Sequence, residues 1–598
     1  MNSAPPPLKE APTLVAPDDN GMEPPNVVSA RVRRAVQFVR SALAIGATQP
    51  STTRRTTRRW TGATGVAGLT LAIQSSMVLW AYRHQLIYGF GDSLSHMTIA
   101  RRLWDSPNPG LSQLGTNWLP LPHLFYAVGS ISTWAWRTGL GGSLFTVGCA
   151  VVTSVSLYRI GQRTGVGNAG GWLAAMIVAT NPSWSYLSAV PMTEPFSGAL
   201  TCLATAGLLR WSQSERPYSA GMTALFCGLP AAAGVLSRYE GWGFAATAGA
   251  CVVWLSWRRF GWTATMRRQI LAFSVLPAMA IAWWFIFNWG VYGNPLAFEN
   301  GKFSSKSLVA PFASAGFLYG KGDLPAALAL YGKDVLDVAG TAVAVAAIIG
   351  ICVTVVKWRG LRQELWLCQL GIVALLVASI WQGQIYIRLP QMTPYGLFDT
   401  RVGTEALPFL AIAAAQSLRI LPAGWSTLNR AKVERWLATL LLIVLSGGWV
   451  AGLANGSIPA NAIAVLEARA NANAKARLQQ RDVATWLHRH ATSGYILLDD
   501  TIFPIIPLIG FDLHRVIVTS SGATYRTLLK HPRLVTWVAA QVGNKHDAVW
   551  RTLHREGAFN TIFFPVVNFD GFVIYEQEPP EQRLPSNSLL TVPTHKGS

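Results

Sequence analysis

The chain has 598 residues, of which 51% are hydrophobic and only 13% are charged, whereas an ordinary soluble domain has about 25% charged residues. This composition excludes a soluble enzyme. The formal net charge of +21 would suit a nucleic-acid partner, but the basic residues lie in short runs between apolar segments, where they act as topology signals. We therefore expect no nucleic-acid binding.

The first 60 residues are rich in Pro and then in Arg. They contain no short apolar core followed by a cleavage site, so they do not resemble a signal peptide. The pattern predicts a disordered, basic, cytoplasmic tail over residues 1–60. Within it, residues 28–45 carry basic and apolar side chains at helical spacing, which suits a helix on an anionic membrane surface as well as plain disorder.

Apolar runs of membrane-spanning length recur between residues 61 and 455, for example at 66–82, 341–356 and 436–453. Placing every basic loop in the cytoplasm requires about eleven spans, with the N-terminus inside and the C-terminus outside. This count holds only if residues 118–136 do not cross, so we expect a re-entrant or surface helix there. The predicted outer loops are 83–140, 189–194, 238–240, 289–337 and 382–402.

The chain is therefore predicted to be a polytopic α-helical protein of the plasma (inner) membrane, with the bilayer as its first partner. All six cysteines fall inside or at the edges of apolar segments and lack metal-ligand spacing. We expect neither a disulfide nor a zinc site. No fixed-period repeat is visible, which weighs against the duplicated halves of many transporters.

The composition changes after residue 455. Short β-rich runs (YILLDD, RVIVTS, FNTIFFPVV and FVIYEQ) alternate with helical stretches, which predicts a small outer α/β domain over 456–578, followed by a disordered tail over 579–598. Asp499 and Asp500 end the first run, but no Gly-rich phosphate turn follows, so a nucleotide site is not predicted. The domain could cap a cavity and select the acceptor, or serve only as a structural lid.

Polar residues are most concentrated in the first outer loop, residues 83–140. Asp92 and His96 are four residues apart, so both would project from one face of an amphipathic helix at the membrane surface. Charge beside a bilayer is costly and usually functional. However, Asp92 is also well placed to be a helix N-cap, and His96 could be a satisfied interfacial histidine rather than a proton carrier or an acceptor ligand.

The order of these motifs resembles the GT-C glycosyltransferases. Asp92 lies in the first outer loop, the Pro-containing stretch LPLPH ends at His123, and MTEP places Glu194 in the next outer loop. The resemblance covers roughly residues 62–578. It is strongest to protein O-mannosyltransferases, lipid A aminoarabinose transferases and bacterial polyprenyl-phosphate-sugar-dependent transferases. Three further segments fit the bacterial group: SRYEGW (237–242), VYGNPLAF (291–298) and FDTRVGTEALPFL (398–410).

The sequence departs from these relatives at two positions. Asp92 is followed by Ser93, where many relatives have a second acidic residue, and Val402 follows Arg401, where Tyr is more usual. Because relatives with a single Asp in this loop exist, the resemblance still implies that Asp92 is the catalytic base. The altered neighbour of Arg401 puts the local packing of that side chain in question.

The resemblance implies that a sugar moves from a polyprenyl-phosphate donor to an acceptor hydroxyl on the outer face, by inverting displacement. The acceptor would be a glycan, a lipid or a protein. Asp92 would take the hydroxyl proton, and Arg401, or else Arg238, would bind the donor phosphate with its planar guanidinium. Arg401 could instead pair with Glu405 one helical turn on, or extend to the membrane interface.

The remaining candidate site residues are Glu194, Glu240 and His123. Glu194 could orient the acceptor or neutralise Arg238, and its position also suits the dipole at the start of a helix. Glu240 is expected to form a local ion pair with Arg238. His123 could line the donor cavity or cap the start of its helix. The candidate substrate-binding residues are therefore His96, His123, Glu194, Arg238, Glu240 and Arg401.

No cofactor and no metal ion are expected, because a single donor phosphate can be bound by Arg alone. Asp92, His96 and Glu194 are the residues that would otherwise assemble a divalent site. Two other functions stay open: a glycan ligase or polymerase that uses a pyrophosphate lipid, and a transporter or flippase of a lipid-linked glycan. The first should carry more Arg in its outer loops, and the second should show repeats.

Overall fold

The computed structural model describes residues 56–421 except 116, 302–303 and 394, isolated positions between 432 and 443, and residues 461–577. The predicted tail 579–598 lies outside the described residues, and so do all but the last five residues of the tail 1–60 and most of the apolar run 436–453. Residues 56–60 already belong to the first helix, so the predicted end of the tail is about one helical turn too late.

The first half of the described chain is helical because long apolar runs are interrupted only by short loops that contain Gly, Pro or Ser. A π-helical turn, Ala224–Gly228, joins the last two helices of this half. These helices are α1 (Thr56–Arg83), α2 (Gly91–Arg102), α3 (Pro120–Gly129), α4 (Thr133–Thr138), α5 (Leu140–Arg163), α6 (Gly167–Ala179), α7 (Pro182–Ala189), α8 (Glu194–Gln213), α9 (Ala220–Thr223) and α10 (Leu229–Val235).

The second half of the helical region contains longer helices, and a long segment with two short helices connects α12 to α15. The helices are α11 (Glu240–Phe260), α12 (Ala264–Tyr292), α13 (Ala297–Asn300), α14 (Ser305–Ser314), α15 (Leu324–Ala339), α16 (Thr341–Val356), α17 (Leu370–Trp381) and α18 (Leu407–Gln416), with a 3₁₀ helix, Thr400–Ala406, before the last. The predicted outer loop 289–337 is thus largely helical.

Three helices in the described part are long and apolar enough to cross a membrane: Gly62–Arg83, Leu140–Arg163 and Ala264–Tyr292. Helices α15 and α16 meet at a bend of 113° and would make a fourth span if they are counted together. The predicted run 66–82 is therefore confirmed as a helix of spanning length, whereas 341–356 is one arm of a bent pair. The total of eleven spans stays a prediction.

Three of the predicted inner, basic loops meet beyond the end of α8. Helix α8 begins at Glu194 and ends at Gln213, a length of about 30 Å, which matches the hydrocarbon thickness of a bilayer. Beyond its end, Arg259 and Arg362 from two other basic loops both donate to the Ser214 carbonyl, at 2.7 and 3.3 Å. These two basic loops therefore lie at the same end of α8, and the orientation of the helices in a membrane stays a prediction.

Residues 118–136 form two short helices instead of one span. Helix α3 has ten residues, or about 15 Å, and the chain breaks at 130–132 before Ser132 caps α4 through the Ala135 N–H. A Cβ placed on Gly129 would lie 2.3 Å from the Gly141 carbonyl oxygen, so α3 packs directly against the backbone of α5. Neither short helix is long enough to cross a membrane, which agrees with the prediction that residues 118–136 do not cross.

The C-terminal domain begins with two helices, α19 (Ile463–Asn473) and α20 (Lys475–His490), and contains a five-stranded sheet of order β2-β1-β3-β5-β4. Strand β1 is parallel to β2 and β3, and β5 is antiparallel to β3 and β4. The strands and remaining helices are β1 (Ile496–Leu498), α21 (Ile506–Ile509), β2 (Val516–Val518), α22 (Ala523–Lys530), β3 (Trp537–Gln541), α23 (Ala548–Arg555), α24 (Ala558–Thr561), β4 (Phe563–Phe569) and β5 (Phe572–Gln577).

The predicted α/β domain is therefore confirmed, with two corrections. The first residues of FNTIFFPVV belong to α24, and strand β3 was not predicted. Four consecutive residues of β3, from Trp537, are buried, because β3 lies in the middle of the sheet with helices on both faces. A strand that is buried on both faces lacks the alternating pattern that identifies a strand in a sequence.

The domain rests on the first outer loop. Met97, Tyr126 and Trp136 share one apolar cluster with side chains of α20 and of the sheet. At its edge, Arg102 pairs with Asp500 at 3.0 Å. The two regions are therefore held together by apolar burial and by specific polar contacts.

The predicted sidedness can be tested with introduced cysteines. Ser112 and Ser520 are exposed and belong to the predicted outer side, whereas Glu215 is exposed at the basic end of the helices. In cells, an impermeant thiol reagent should label Ser112→Cys and Ser520→Cys, and should label Glu215→Cys only after permeabilisation. The opposite pattern would contradict the orientation.

Candidate active site

A cavity of about 740 Å³ is lined by the first outer loop, the start of α11, helices α13, α14 and α17, the segment after α17, and the two helices that open the C-terminal domain. Asp92, Arg238, Glu240 and Arg401 line it, whereas Glu194 lies behind its wall. Five of the seven predicted site residues therefore meet in or beside one cavity, although more than 300 residues separate the first from the last.

Asp92 occupies the second position of α2, whose N-cap residue is Phe90. The expected N-cap role of Asp92 is therefore wrong: its carboxylate accepts from the Arg401 guanidinium, with 2.5 Å between Oδ2 and Nη2. Its side chain is 33% exposed. Asp92 is thus fixed by an ion pair and open to the cavity at the same time.

Arg401 is presented by the 3₁₀ helix Thr400–Ala406, which begins after an unusual backbone turn. Asp399 has a φ of +56°, a left-handed conformation that costs a non-glycine residue free energy unless its surroundings hold it. Glu467 supplies that support, because its carboxylate accepts from the Asp399 N–H (2.9 Å), the Thr400 N–H (2.8 Å) and the Thr400 hydroxyl (2.8 Å). A residue of the C-terminal domain therefore positions Arg401.

The Arg401 guanidinium is surrounded by three carboxylates. Besides Asp92, its Nη2 contacts Asp399 at 2.8 Å and its Nε contacts Glu194 at 3.0 Å. The alternative pairing of Arg401 with Glu405 is wrong, since Glu405 lies against Arg238 instead. Burial lowers the pKa of Arg401, but the effect of the three carboxylates is opposite and larger, so the pKa lies above its ordinary value.

Arg238 forms the second centre of the cluster. Its guanidinium contacts Glu194 at 3.1 Å, Glu240 at 2.9 Å and Glu405 at 3.1 Å, and it donates to the Thr193 hydroxyl at 2.8 Å. Oε1 of Glu194 therefore bridges both guanidinium groups. The expected neutralisation of Arg238 by Glu194 and the local pair with Glu240 are confirmed.

The cluster contains more acid than base. Two guanidinium groups face six carboxylates, when Glu467 is counted with the five that contact them. Burial raises the pKa of Asp399 to about 6; Arg401 opposes this rise, while Glu467, Asp92 and Glu194 add to it. Protons are therefore taken up by the cluster at a pH where an isolated Asp would stay ionised.

His96 and His123 form a buried pair beside the cluster. His123 Nδ1 lies 3.1 Å from the Leu119 carbonyl and must donate to it, so its Nε2 accepts from His96 Nδ1 at 3.0 Å. Burial lowers the pKa of both rings, that of His123 to about 4, and the charges of Arg401 and Arg238 contribute at His96. Both rings are neutral at neutral pH.

Neither histidine lines the cavity, so the expectation that His123 would line it is wrong. The contact of His123 with Leu119, the N-cap residue of α3, agrees with the alternative placement at the helix start. His96 packs edge-on against Trp118, with 4.7 Å between the ring centroids, and Trp118 is part of the cavity wall. The pair therefore supports the wall from behind.

Three carboxylates of the cluster were not among the predicted site residues: Asp399, Glu405 and Glu467. The first two lie within the segment FDTRVGTEALPFL, so their closeness to Arg401 in the sequence was the available signal. Nothing in the sequence connects Glu467 with a turn that lies 67 residues earlier. Only the packing of α19 against that turn reveals it.

The expected alternative metal site does not assemble. The Arg401 guanidinium lies between Asp92 and Glu194, and His96 is directed to His123. Among the described residues, no group of three or more His, Cys, Asp or Glu side chains is arranged to hold a metal ion. The metal-free reaction stays a prediction.

No protein-family model matches the chain, and no curated protein matches it in sequence. Solved structures match its fold: ArnT from Cupriavidus metallidurans bound to undecaprenyl phosphate (13% identity, 86% of this chain, 98% of that one, TM-score 0.45) and the Archaeoglobus fulgidus oligosaccharyltransferase tethered to an acceptor peptide (12%, 88%, 75%, 0.43). A third is the mycobacterial arabinofuranosyltransferase AftD (16%, 88%, 40%, 0.42). All three are GT-C glycosyltransferases. The similarity concerns the course of the chain and transfers no residue role.

The bridging position of Glu194 predicts a loss of stability when its charge is removed. Glu194→Gln keeps the shape of the side chain but leaves two buried guanidinium groups with one countercharge fewer, which should cost about 3 kcal/mol of unfolding free energy. The measurement is thermal unfolding of the purified protein in lipid nanodiscs.

Asp570→Asn is the matched control, because Asp570 pairs with Lys475 on an exposed surface. Such pairs contribute little, so no measurable change in Tm is expected for this variant. An equally small change for Glu194→Gln would contradict the bridging role.

Proposed function

We propose that the chain is a membrane glycosyltransferase that moves a sugar from a polyprenyl-phosphate donor to an acceptor hydroxyl at the outer face of the plasma membrane. The observation that carries this proposal is the exposure of Asp92. Its side chain is 33% exposed in the cavity, against 24% for Asp399, 9% for Glu240, and 0–1% for Glu194 and Glu405. Of the five carboxylates that contact the two arginines, Asp92 is the most accessible to a substrate.

The reaction needs one base and one departing anion. The acceptor oxygen attacks the anomeric carbon from the face opposite the phosphate, and a new glycosidic bond forms as the bond from carbon to phosphate oxygen breaks. The phosphate keeps the electron pair of that bond, and Asp92 takes the hydroxyl proton. The products are the glycosylated acceptor with inverted configuration and polyprenyl phosphate.

Arg401 controls the state of the base. In the free protein its Nη2 lies between Asp92 and Asp399, so the lone pairs of Asp92 that face it are occupied. A donor phosphate that approaches Arg401 competes for the same guanidinium and makes Asp92 more available to the acceptor. Donor binding would therefore activate the base, and this makes Arg401 our candidate for contact with the phosphate.

The other walls of the cavity suit a lipid-linked sugar. Tyr239 and Phe298 stack with 5.6 Å between their ring centroids, and Trp242 packs against both. These rings provide flat apolar surfaces for a sugar face and for the first isoprene units. Trp118 adds a further ring to the wall.

Donor use can be tested directly. Purified protein given a polyprenyl-phosphate sugar should release polyprenyl phosphate with a chelator present, because the cluster supplies the cations that the single phosphate needs. The released lipid is measured by chromatography. Complete dependence on Mn²⁺ or Mg²⁺ would contradict the metal-free mechanism, and activity with only a pyrophosphate-linked glycan would indicate a ligase or polymerase.

The role of Asp92 can be separated from a role in folding. Asp92→Asn keeps the size of the side chain but removes the base, so turnover should fall roughly 10²-fold or more, while Tm in nanodiscs stays within a few degrees of the parent.

Asp323→Asn is the matched control. Asp323 is a true N-cap, whose carboxylate accepts from the Ala326 N–H at 3.0 Å, and Asn caps helices about as well as Asp. Its turnover should be unchanged. Near-normal transfer by a folded Asp92→Asn variant would remove Asp92 from the mechanism.

A further inference from the structure

A third guanidinium, that of Arg477 on α20, lines the same cavity. Arg238 and Arg401 each contact three carboxylates, so their charge is neutralised within the protein. Arg477 takes part in no ion pair among the described residues. It is therefore the cation on this wall whose charge the described part of the protein leaves without a counterion.

The position of the Arg477 side chain makes this lack of a partner costly. Its Nη1 is buried and has no hydrogen-bond partner. Its Nη2 lies against the start of α2, where a Cβ placed on Gly91 would be 3.3 Å away. A buried donor without an acceptor costs free energy, and more so when it is charged. The unpaired guanidinium thus lies beside Gly91, the residue before Asp92 in the cavity wall.

The electrostatic surroundings of Arg477 differ in sign from those of the other two arginines. Burial, and then the positive charge of Arg481, lower the pKa of the Arg477 guanidinium. The carboxylates around Arg238 and Arg401 raise theirs above the ordinary value despite burial. A phosphate at Arg401 has to compete with three carboxylates for the guanidinium, whereas at Arg477 it meets no such competitor among the described residues.

Backbone donors lie beside Arg477. Helix α2 begins at Gly91, and its N-cap Phe90 forms no side-chain capping bond. The first N–H groups of a helix lack intrahelical acceptors and attract anions. Phe90 and Gly91 both line the cavity, so the start of α2 opens next to the unpaired guanidinium.

We infer that Arg477 binds the phosphate monoester of the lipid, first in the donor and then in the polyprenyl phosphate that is released. This inference rests on the proposed function. It divides the cavity into an acceptor side at Asp92, where the proton arrives, and a phosphate side at Arg477, where the electron pair of the broken bond arrives. The planar guanidinium can make two charge-assisted hydrogen bonds to the phosphate oxygens.

The test is a binding titration of the full chain in nanodiscs, with farnesyl phosphate, farnesol and inorganic phosphate as probes. Arg477→Gln should weaken farnesyl phosphate binding about tenfold or more, and Arg477→Lys should restore part of the affinity because it keeps the charge but not the planar fork. Farnesol binding should be unchanged in both. Arg481→Gln is the control for charge removal on the same helix, and should change the affinity by no more than about twofold.

Thermal unfolding distinguishes a ligand site from a structural one. If Arg477 serves the phosphate, Arg477→Gln in nanodiscs without farnesyl phosphate should unfold at the same Tm as the parent or higher, because a partly buried charge without a counterion is gone. It should also lose the increase in Tm that farnesyl phosphate gives the parent. A lower Tm without farnesyl phosphate, together with unchanged affinity for it, would overturn the assignment. Inorganic phosphate binding as tightly as farnesyl phosphate would overturn it as well.

The two proposals fail in different ways. If the parent transfers sugar and Arg477→Gln does so with an unchanged KM for the donor, the phosphate site is wrong and the proposed function stands. If farnesyl phosphate binds through Arg477 but no polyprenyl-phosphate sugar is ever consumed, the proposed function is wrong and the phosphate site stands.

Discussion

The structure depends on the neutralisation of two guanidinium groups in an apolar protein. Arg238 and Arg401 are largely withdrawn from water, and a buried charge is tolerated only when it is paired and hydrogen-bonded. The partners come from the starts of α2, α8 and α11 and from the 3₁₀ helix before α18. Because Glu194 contacts both arginines, these four segments cannot shift independently, and the network fixes the geometry of the cavity.

The same network sorts its carboxylates by function. Glu194 and Glu405 are fully enclosed, and Ser197 donates to Glu405 at 2.8 Å, so these groups are committed to holding the arginines. Asp92 gives one oxygen to Arg401 and keeps the rest of its carboxylate toward the cavity. The carboxylates of the cluster thus differ in burial: Glu194 and Glu405 are closed off from the cavity, and Asp92 is open to it.

Much of this could be predicted from the sequence. Asp92, Glu194, Arg238, Glu240 and Arg401 were identified because charge is rare in this composition, and because the loop count and the GT-C resemblance place all five on one side. The sequence does not show in which direction each side chain points or which faces of a strand are covered. His123 lies in the first outer loop, but its side chain faces the protein interior. Arg401 pairs with Asp92 and not with Glu405, its neighbour one helical turn on. Strand β3 lacks the alternation of apolar and polar residues because both of its faces are buried.

The C-terminal domain is the part whose role changes most. From the sequence it could be a cap that selects the acceptor or a structural lid. In the structure Glu467, on α19, holds the turn that presents Arg401, and Arg477, ten residues later on α20, lines the cavity directly. Displacing the domain would release this turn and withdraw Arg477 from the cavity at the same time. The contacts of Arg102 with Asp500 and of Asp105 with the Leu513 N–H hold the domain against α2. The domain therefore forms part of the cavity wall, and both the turn that carries Arg401 and the guanidinium of Arg477 depend on where it docks.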